Sequence, residues 1–176
     1  DADFDAALDN ALNAAFVHSG QVCSAGARLI VEEPIAERFV SELVRRAEQI
    51  RMGGPFDETA ETGPLISAAH RDKVTAYVQK AQEEGARIRC GGTWGTGELE
   101  KGFYFAPTVL DNVKRGSAAL LDEAFGPVVT VETFNGEDEA VALANDTAYG
   151  LAGAVWSADA GKTQRVARRL RHGTIW

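Results

Sequence analysis

Short runs of β-branched and apolar residues alternate with amphipathic helical stretches along the chain, and that alternation confines it to a fold built from βαβ units. Phe4, Leu8, Ala11, Leu12, Ala15 and Phe16 recur at helical spacing, with Asp3 placed to cap the helix and Gly20 to stop it. Leu29-Ile30-Val31 reads as a short strand. Pro34 sits where a first helical turn tolerates it, ahead of an apolar stripe of Ile35, Phe39, Leu43, Val44, Ala47 and Ile50. Residues 52–65 read as a loop. Ser67 is a cap for a helix running through Val74, Tyr77, Val78 and Ala81, with Gly85 beyond its end. Further strands are expected over 86–90, over 103–109 with a break at Pro107, over 128–134 and over 151–156. Helices are expected over 137–145 and 162–171, and the closing Gly173-Thr174-Ile175-Trp176 has the composition of a strand just beginning. Such a chain forms a parallel sheet with right-handed crossovers.

At 176 residues the chain suits one sizeable core, and no repeat or linker divides it. Its net charge of −8 argues against attraction to nucleic acid or an anionic membrane. Arg165, Arg168, Arg169 and Arg171 fall largely on one helix face, which reads as a solvated or domain-facing surface. No apolar run reaches the length of a membrane span. The two cysteines, Cys23 and Cys90, are too few for a disulfide-stapled secreted domain and lack the CxxC pairing of a zinc ribbon, so no metal site is expected. A reducing cytoplasm fits this usage.

Two phosphate-binding motifs fail on inspection. Gly161-Lys162-Thr163 has the end of a P-loop, but Trp156 stands where the first glycine is required. Gly91-Gly92-Thr93-Trp94-Gly95-Thr96-Gly97 lacks the GxGxxG spacing and leads into an extended segment instead of a helix.

Cys23 has a different setting. It lies in Gly20-Gln21-Val22-Cys23-Ser24-Ala25-Gly26-Ala27-Arg28, between a helix end and a strand start. Glycines on both sides permit tight turns that hold a small nucleophile toward a cleft. The alternative for any lone cysteine is a small buried hydrophobe, and Cys90, at a strand end without such flanks, takes that reading. His18 lies five residues before Cys23, but Cys–His dyads are set by space and not by proximity in sequence, so it reads as a helix-end histidine.

The run from Phe16 to Arg28 resembles the catalytic-cysteine signature of the aldehyde dehydrogenase superfamily. Gly102-Phe103-Tyr104-Phe105-Ala106-Pro107-Thr108-Val109-Leu110 is similar to its GYFxxPTVL segment, and Asp122-Glu123-Ala124-Phe125-Gly126-Pro127-Val128 to its EExFGPV. Asn145 to Ala152 and the final Gly-Thr-Ile-Trp match as well. The resemblance implies a three-layer αβα catalytic domain with a mostly parallel sheet, spanning 1–176, incomplete at both ends and without its cofactor-binding domain. It implies oxidation of a small-molecule aldehyde to an acid, with Cys23 as the nucleophile that forms a thiohemiacetal and then a thioester, and with the Cys23 N–H as half of an oxyanion hole. Glu123 is implied to hold the nicotinamide ribose hydroxyls and Phe125 to pack beside the nicotinamide. His70 and Lys73, spaced i, i+3 on one helix face, resemble positions that reach the cofactor ribose, and lean toward betaine- and aminoaldehyde-oxidising relatives. NAD is the commoner family cofactor, NADP the alternative, and the full-length form is expected to be a homo-oligomer, a dimer or tetramer.

The family's general base, in an LELGGK-like segment, is expected shortly before residue 1, and the second oxyanion donor further upstream. The chain alone is therefore expected to be inactive. Two other readings stand beside oxidoreductase: a structural domain or inactive fragment, and a thiol-dependent acyl-transfer or hydrolase relative using CoA or water.

Overall fold

The computed structural model describes residues 1–176. Helix α1, Phe4–Phe16, starts where expected because the Asp3 side chain accepts from the Ala6 N–H, satisfying one of the donors a helix leaves open. Strand β1, Arg28–Glu32, leads straight into helix α2, Glu33–Ala47, with proline in its first turn. Helix α3, Ala68–Glu83, is capped by Ser67, whose hydroxyl accepts from the His70 N–H at 3.1 Å. Strands β2, Arg87–Cys90, and β3, Thr108–Asp111, flank the glycine-rich loop, which contains a 3-10 turn at Gly97–Lys101. A short helix α4, Ala118–Leu121, then strand β4, Val128–Phe134, and helix α5, Glu137–Asn145, follow. Strand β5, Ala152–Gly153, helix α6, Ala160–Ala167, and strand β6, Thr174–Ile175, complete the chain.

The main sheet has strand order β1-β4-β3-β2. β1 and β3 both pair parallel with β4, and β2 closes the edge antiparallel to β3. Side chains alternate across it, as the pleat requires. Val109, Val129 and Val131 join Leu8, Phe16, Phe39, Val40 and Leu43 on the α1–α2 side. Leu110 and Val128 join Val74, Val78, Ala81 and Ala119 on the α3–α4 side. The result is helices, sheet and helices in three layers, with a separate parallel pair β5-β6.

Three expectations change, and one element is new. The strand expected over 103–109 begins only at Thr108, because Pro107 has no N–H to give a ladder; Phe105 instead forms a single bridge with Trp94. The strand expected over 151–156 is reduced to Ala152–Gly153, since its partner β6 is itself two residues long. The helix expected over 162–171 runs from Ala160 to Ala167, started by the Asp159 side chain accepting from the Lys162 N–H. α4 is too short for any periodicity to announce it. No helix is long and apolar enough to cross a membrane.

An ion cluster around the buried Asp111 carboxylate ties edge strand β2 to β3 and α2. The Asp111 carboxylate accepts from Arg87 Nε and Nη2, both at 2.8 Å, and from Arg89 Nη1 at 2.6 Å, while Arg89 also reaches Glu37 on α2. Burial works to raise the Asp111 carboxyl, but the hydrogen bonds from Arg87 and Arg89 outweigh it and hold it below the ordinary value. Arg87 is 61% exposed and largely screened by solvent; Arg89, at 17%, carries more of the interaction. Asp111→Asn is expected to cost about 2 kcal/mol near neutral pH in denaturant melts. A group whose folded pKa is depressed stabilises above its unfolded pKa and loses that contribution as pH falls through the folded value. The difference between variant and wild type therefore closes in acid, below the ordinary 3.8 of an aspartate. A gap that persists there contradicts the assignment.

Candidate active site

β1 and β4 are adjacent and parallel, with Arg28 opposite Thr130, so the segments leading into them leave the same edge of the sheet. Cys23 lies in one lead-in segment, Glu123 and Phe125 in the other. Residues 62–66 lie against the first segment and helix α3 against the second, through the contacts that follow.

The cysteine segment has an unusual backbone. After α1 ends at Phe16, His18 and Ser19 take left-handed angles (φ 51° and 57°), and Gly20 continues at φ 67°. Non-glycine residues resist this conformation, so tertiary contacts must hold it. Ser19 supplies one: its buried hydroxyl donates to the Gly63 carbonyl at 2.6 Å, which leaves its lone pair to accept from Thr62 Oγ1 at 2.9 Å. Gln21 supplies a second. Its Oε1 accepts from the Ile66 N–H at 2.9 Å, and its Nε2 faces the His18 and Pro64 carbonyls at 3.4 Å. Cys23 then sits in a turn closed by Ala25 N–H to Val22 O at 3.0 Å, and its thiol is free and exposed. Beyond it, the Gly26 N–H donates to the Ala14 carbonyl of α1 at 3.0 Å.

Gly20 brings the two lead-in segments together. A Cβ built on it would lie 2.1 Å from the Gly126 carbonyl oxygen. Only glycine permits that approach. Gly126 in turn has no room for a side chain, since its Cβ would fall 2.7 Å from Val74 Cγ2 of α3. The half-buried Phe125 is left-handed at φ 51°, and its carbonyl oxygen lies 2.6 Å from His70 Nε2. Their rings meet edge-on, with centroids 6.2 Å apart.

Of the residues singled out from sequence, then, His70 and Phe125 are in direct contact, and Cys23 is joined to their segment through Gly20 and Gly126. Glu123 and Lys73 are exposed, and neither carboxylate nor ammonium has a hydrogen-bond or ion-pair partner in the chain. Both are free to meet a ligand. Ser19, Gln21 and Thr62 carried no expected role, and only the proximity of Ser19 and Gln21 to Cys23 in sequence could have marked them. The groove between α1 and α2 lined by Phe4, Asp5, Arg38, Ser41, Glu42 and Arg45 includes none of these residues. The exposed thiol lies on the converging loops, and not in that groove.

Cys90 contrasts with Cys23. It is 8% exposed, its thiol points to the Pro107 carbonyl at 3.8 Å, and burial pushes its pKa up to about 11. Thiolate is the reactive form, so Cys90 is almost wholly inert at neutral pH. Brief alkylation at neutral pH followed by mass spectrometry should label Cys23 and leave Cys90 untouched. Equal labelling would mean that the exposure difference does not govern reactivity here.

Comparison with known proteins gives a consistent picture. The model of the aldehyde dehydrogenase family matches residues 1–176. A betaine aldehyde dehydrogenase of Bacillus subtilis (strain 168) is 54% identical over 177 residues, covering 100% of this chain and 36% of that protein. One from Brucella ovis is 45% identical over 179 residues, again covering 100% and 36%. A crystal structure of betaine aldehyde dehydrogenase from Staphylococcus aureus in complex with NAD+ superposes with a TM-score of 0.98 at 48% identity, over 100% of this chain and 35% of that one. In another crystal structure of that enzyme, a point mutant also in complex with NAD+, a cysteine is BME-modified. The chain thus spans about a third of the length of the relatives it matches.

Proposed function

The chain belongs to the aldehyde dehydrogenase family, and on that premise we propose that residues 1–176 are the thiol-bearing catalytic portion of a longer polypeptide that oxidises a small aldehyde with NAD+. The observation that carries this reading is the exposed Cys23 thiol on a loop locked, backbone to backbone, against the segment bearing Glu123 and Phe125.

The Cys23 thiolate adds to the aldehyde carbon, the carbonyl π pair moving onto oxygen to give a thiohemiacetal. The Cys23 backbone N–H stabilises that oxyanion as one donor of a pair. NAD+, when bound, accepts the hydride lost from the former aldehyde carbon. A thioester on Cys23 remains, and water adds to it, expelling the thiolate and releasing the carboxylic acid. Covalent capture divides one difficult oxidation into two easier steps.

Glu123 fits the cofactor. It is an exposed carboxylate with no cation partner, and such a group accepts two ribose hydroxyls as donors. Phe125 offers an aromatic edge beside it. Lys73, exposed and unpaired on α3, reaches the same cofactor along with His70. The substrate class we favour is betaine aldehyde, supported by the relatives that are 54% and 45% identical. Tyr149, Leu151, Trp156 and Trp176, each 47% to 65% exposed around β5 and β6, support burial of this face against the remainder of the polypeptide or a further subunit of a homo-oligomer. Two unpaired cysteines suit the reducing cytoplasm.

The longer polypeptide is tested with betaine aldehyde and NAD+, following NADH and the carboxylate product together. Equimolar formation of the two supports the proposal. No NADH and no carboxylate from the aldehyde, with turnover of a nitrophenyl ester supplied in its place, would replace it with a thiol hydrolase, and a requirement for CoA with an acylating enzyme.

A further inference from the structure

The contact between His70 and Phe125 gives His70 a task separate from touching any ligand. A carbonyl oxygen can only accept, so the 2.6 Å contact requires that His70 Nε2 carry a proton and donate it to the Phe125 oxygen. Phe125 needs that bond. It is a bulky residue at φ 51°, a conformation that costs free energy unless surrounding contacts impose it. Its immediate neighbour Gly126 is wedged between the Gly20 backbone and Val74, which fixes the chain after Phe125 but not the peptide plane that carries its carbonyl. His70 fixes that plane, and its ring edge meets the phenyl ring at 64°. The imidazole is itself well anchored: Ser67 caps α3 through the His70 N–H, and the Ile66 N–H, just ahead of that cap, is tied to Gln21.

We propose that His70 is a positioning residue: by donating from Nε2 to the Phe125 carbonyl it holds Phe125 left-handed, and so sets how tightly the Glu123–Phe125 segment grips the cofactor. This rests on the reading of that segment as the NAD clamp. It also changes what His70 can offer a ligand. With Nε2 committed, only Nδ1 remains, and in the neutral ring Nδ1 is an acceptor, suited to a hydroxyl and not to a phosphate.

Two substitutions in the longer polypeptide separate the parts. His70→Phe keeps an aromatic edge against Phe125 and removes the donor; His70→Gln restores an N–H that can reach the carbonyl. His70→Phe is expected to weaken NADH binding, read by fluorescence titration, and to raise the KM for NAD+, each about tenfold. The KM for aldehyde and the rate of Cys23 alkylation stay as in wild type, and His70→Gln recovers the NADH affinity to within about twofold. A general loss of structure would move all four quantities and would not be rescued by Gln. Independently of turnover, histidine-selective 15N labelling should show the His70 ring with its proton on Nε2. Unchanged NADH affinity in His70→Phe, or a ring protonated on Nδ1 alone, overturns the proposal. If wild type forms no NADH, the functional reading falls, and the ring nitrogen signals still decide whether the hydrogen bond exists.

Discussion

Cys23→Ser in the longer polypeptide is expected to lower aldehyde oxidation by about 10⁴-fold while leaving the fold intact. Serine keeps the size of the side chain but not its chemistry. A hydroxyl is scarcely ionised at neutral pH, and no side chain that could take its proton hydrogen-bonds at this position; His18, the nearest candidate in sequence, offers its backbone carbonyl to Gln21 instead. The thiol is exposed and makes no hydrogen bond that the loop depends on, since the turn is closed by the Val22 carbonyl and the Ala25 N–H. Stability should therefore change by less than about 0.5 kcal/mol. Initial rates of NADH formation, taken with thermal melts of both proteins, check the two halves together. An active serine variant would remove Cys23 from the mechanism, and an unfolded one would mean that the loop relies on sulfur in a way its contacts do not reveal.

Gly20→Ala should have the largest effect on stability. Alanine at φ 67° carries a steric penalty of about 1–2 kcal/mol. The larger part is the collision of its Cβ with the Gly126 carbonyl, 2.1 Å from the oxygen and 2.5 Å from the carbon, because a backbone group cannot rotate away as a side chain can. The sum is about 4 kcal/mol, a large fraction of the stability of an ordinary domain. For a chain of this size it corresponds to a fall in melting temperature on the order of 10 °C. Gly97→Ala separates the two contributions, since Gly97 is also left-handed at φ 61° but has nothing within 4 Å of the position its Cβ would take. That variant should lose only about 1 kcal/mol. Equal losses at both positions would mean that conformation alone, and not the approach of Gly20 to Gly126, explains the requirement for glycine.

Where a local signal had a local cause, the sequence was a reliable guide. Asp3 and Ser67 start helices because their side chains accept from N–H groups three residues on, a contact written within four residues of sequence. β4 matches its expected bounds because a seven-residue run of mostly apolar and β-branched side chains has little choice between two packed faces. Residues 151–156 look like a strand equally well, yet pairing with a two-residue partner limits it. The left-handed angles of His18 and Ser19 could not be read at all. Neither residue type announces them, and their cause is a hydroxyl bonded to Gly63, more than forty residues away. The site divides in the same way. Motif similarity named Cys23, Glu123, Phe125, His70 and Lys73, but that His70 serves Phe125, or that Gly20 seats Gly126, depends on contacts across long separations that spacing does not encode.

The seat of Gly20 on Gly126 is a joint without side chains. Joints made of interdigitated residues loosen as rotamers change and shift whenever one partner is substituted. This one has no rotamers, so thermal motion in the neighbouring side chains has little leverage on the spacing between the Cys23 and Phe125 segments. Val22 and Ser24, which flank Cys23, can then change in size or polarity without resetting that spacing. On the proposed function, a scaffold of this kind would let selectivity for the aldehyde drift from one protein to another while the spacing between the Cys23 and Phe125 segments stayed put.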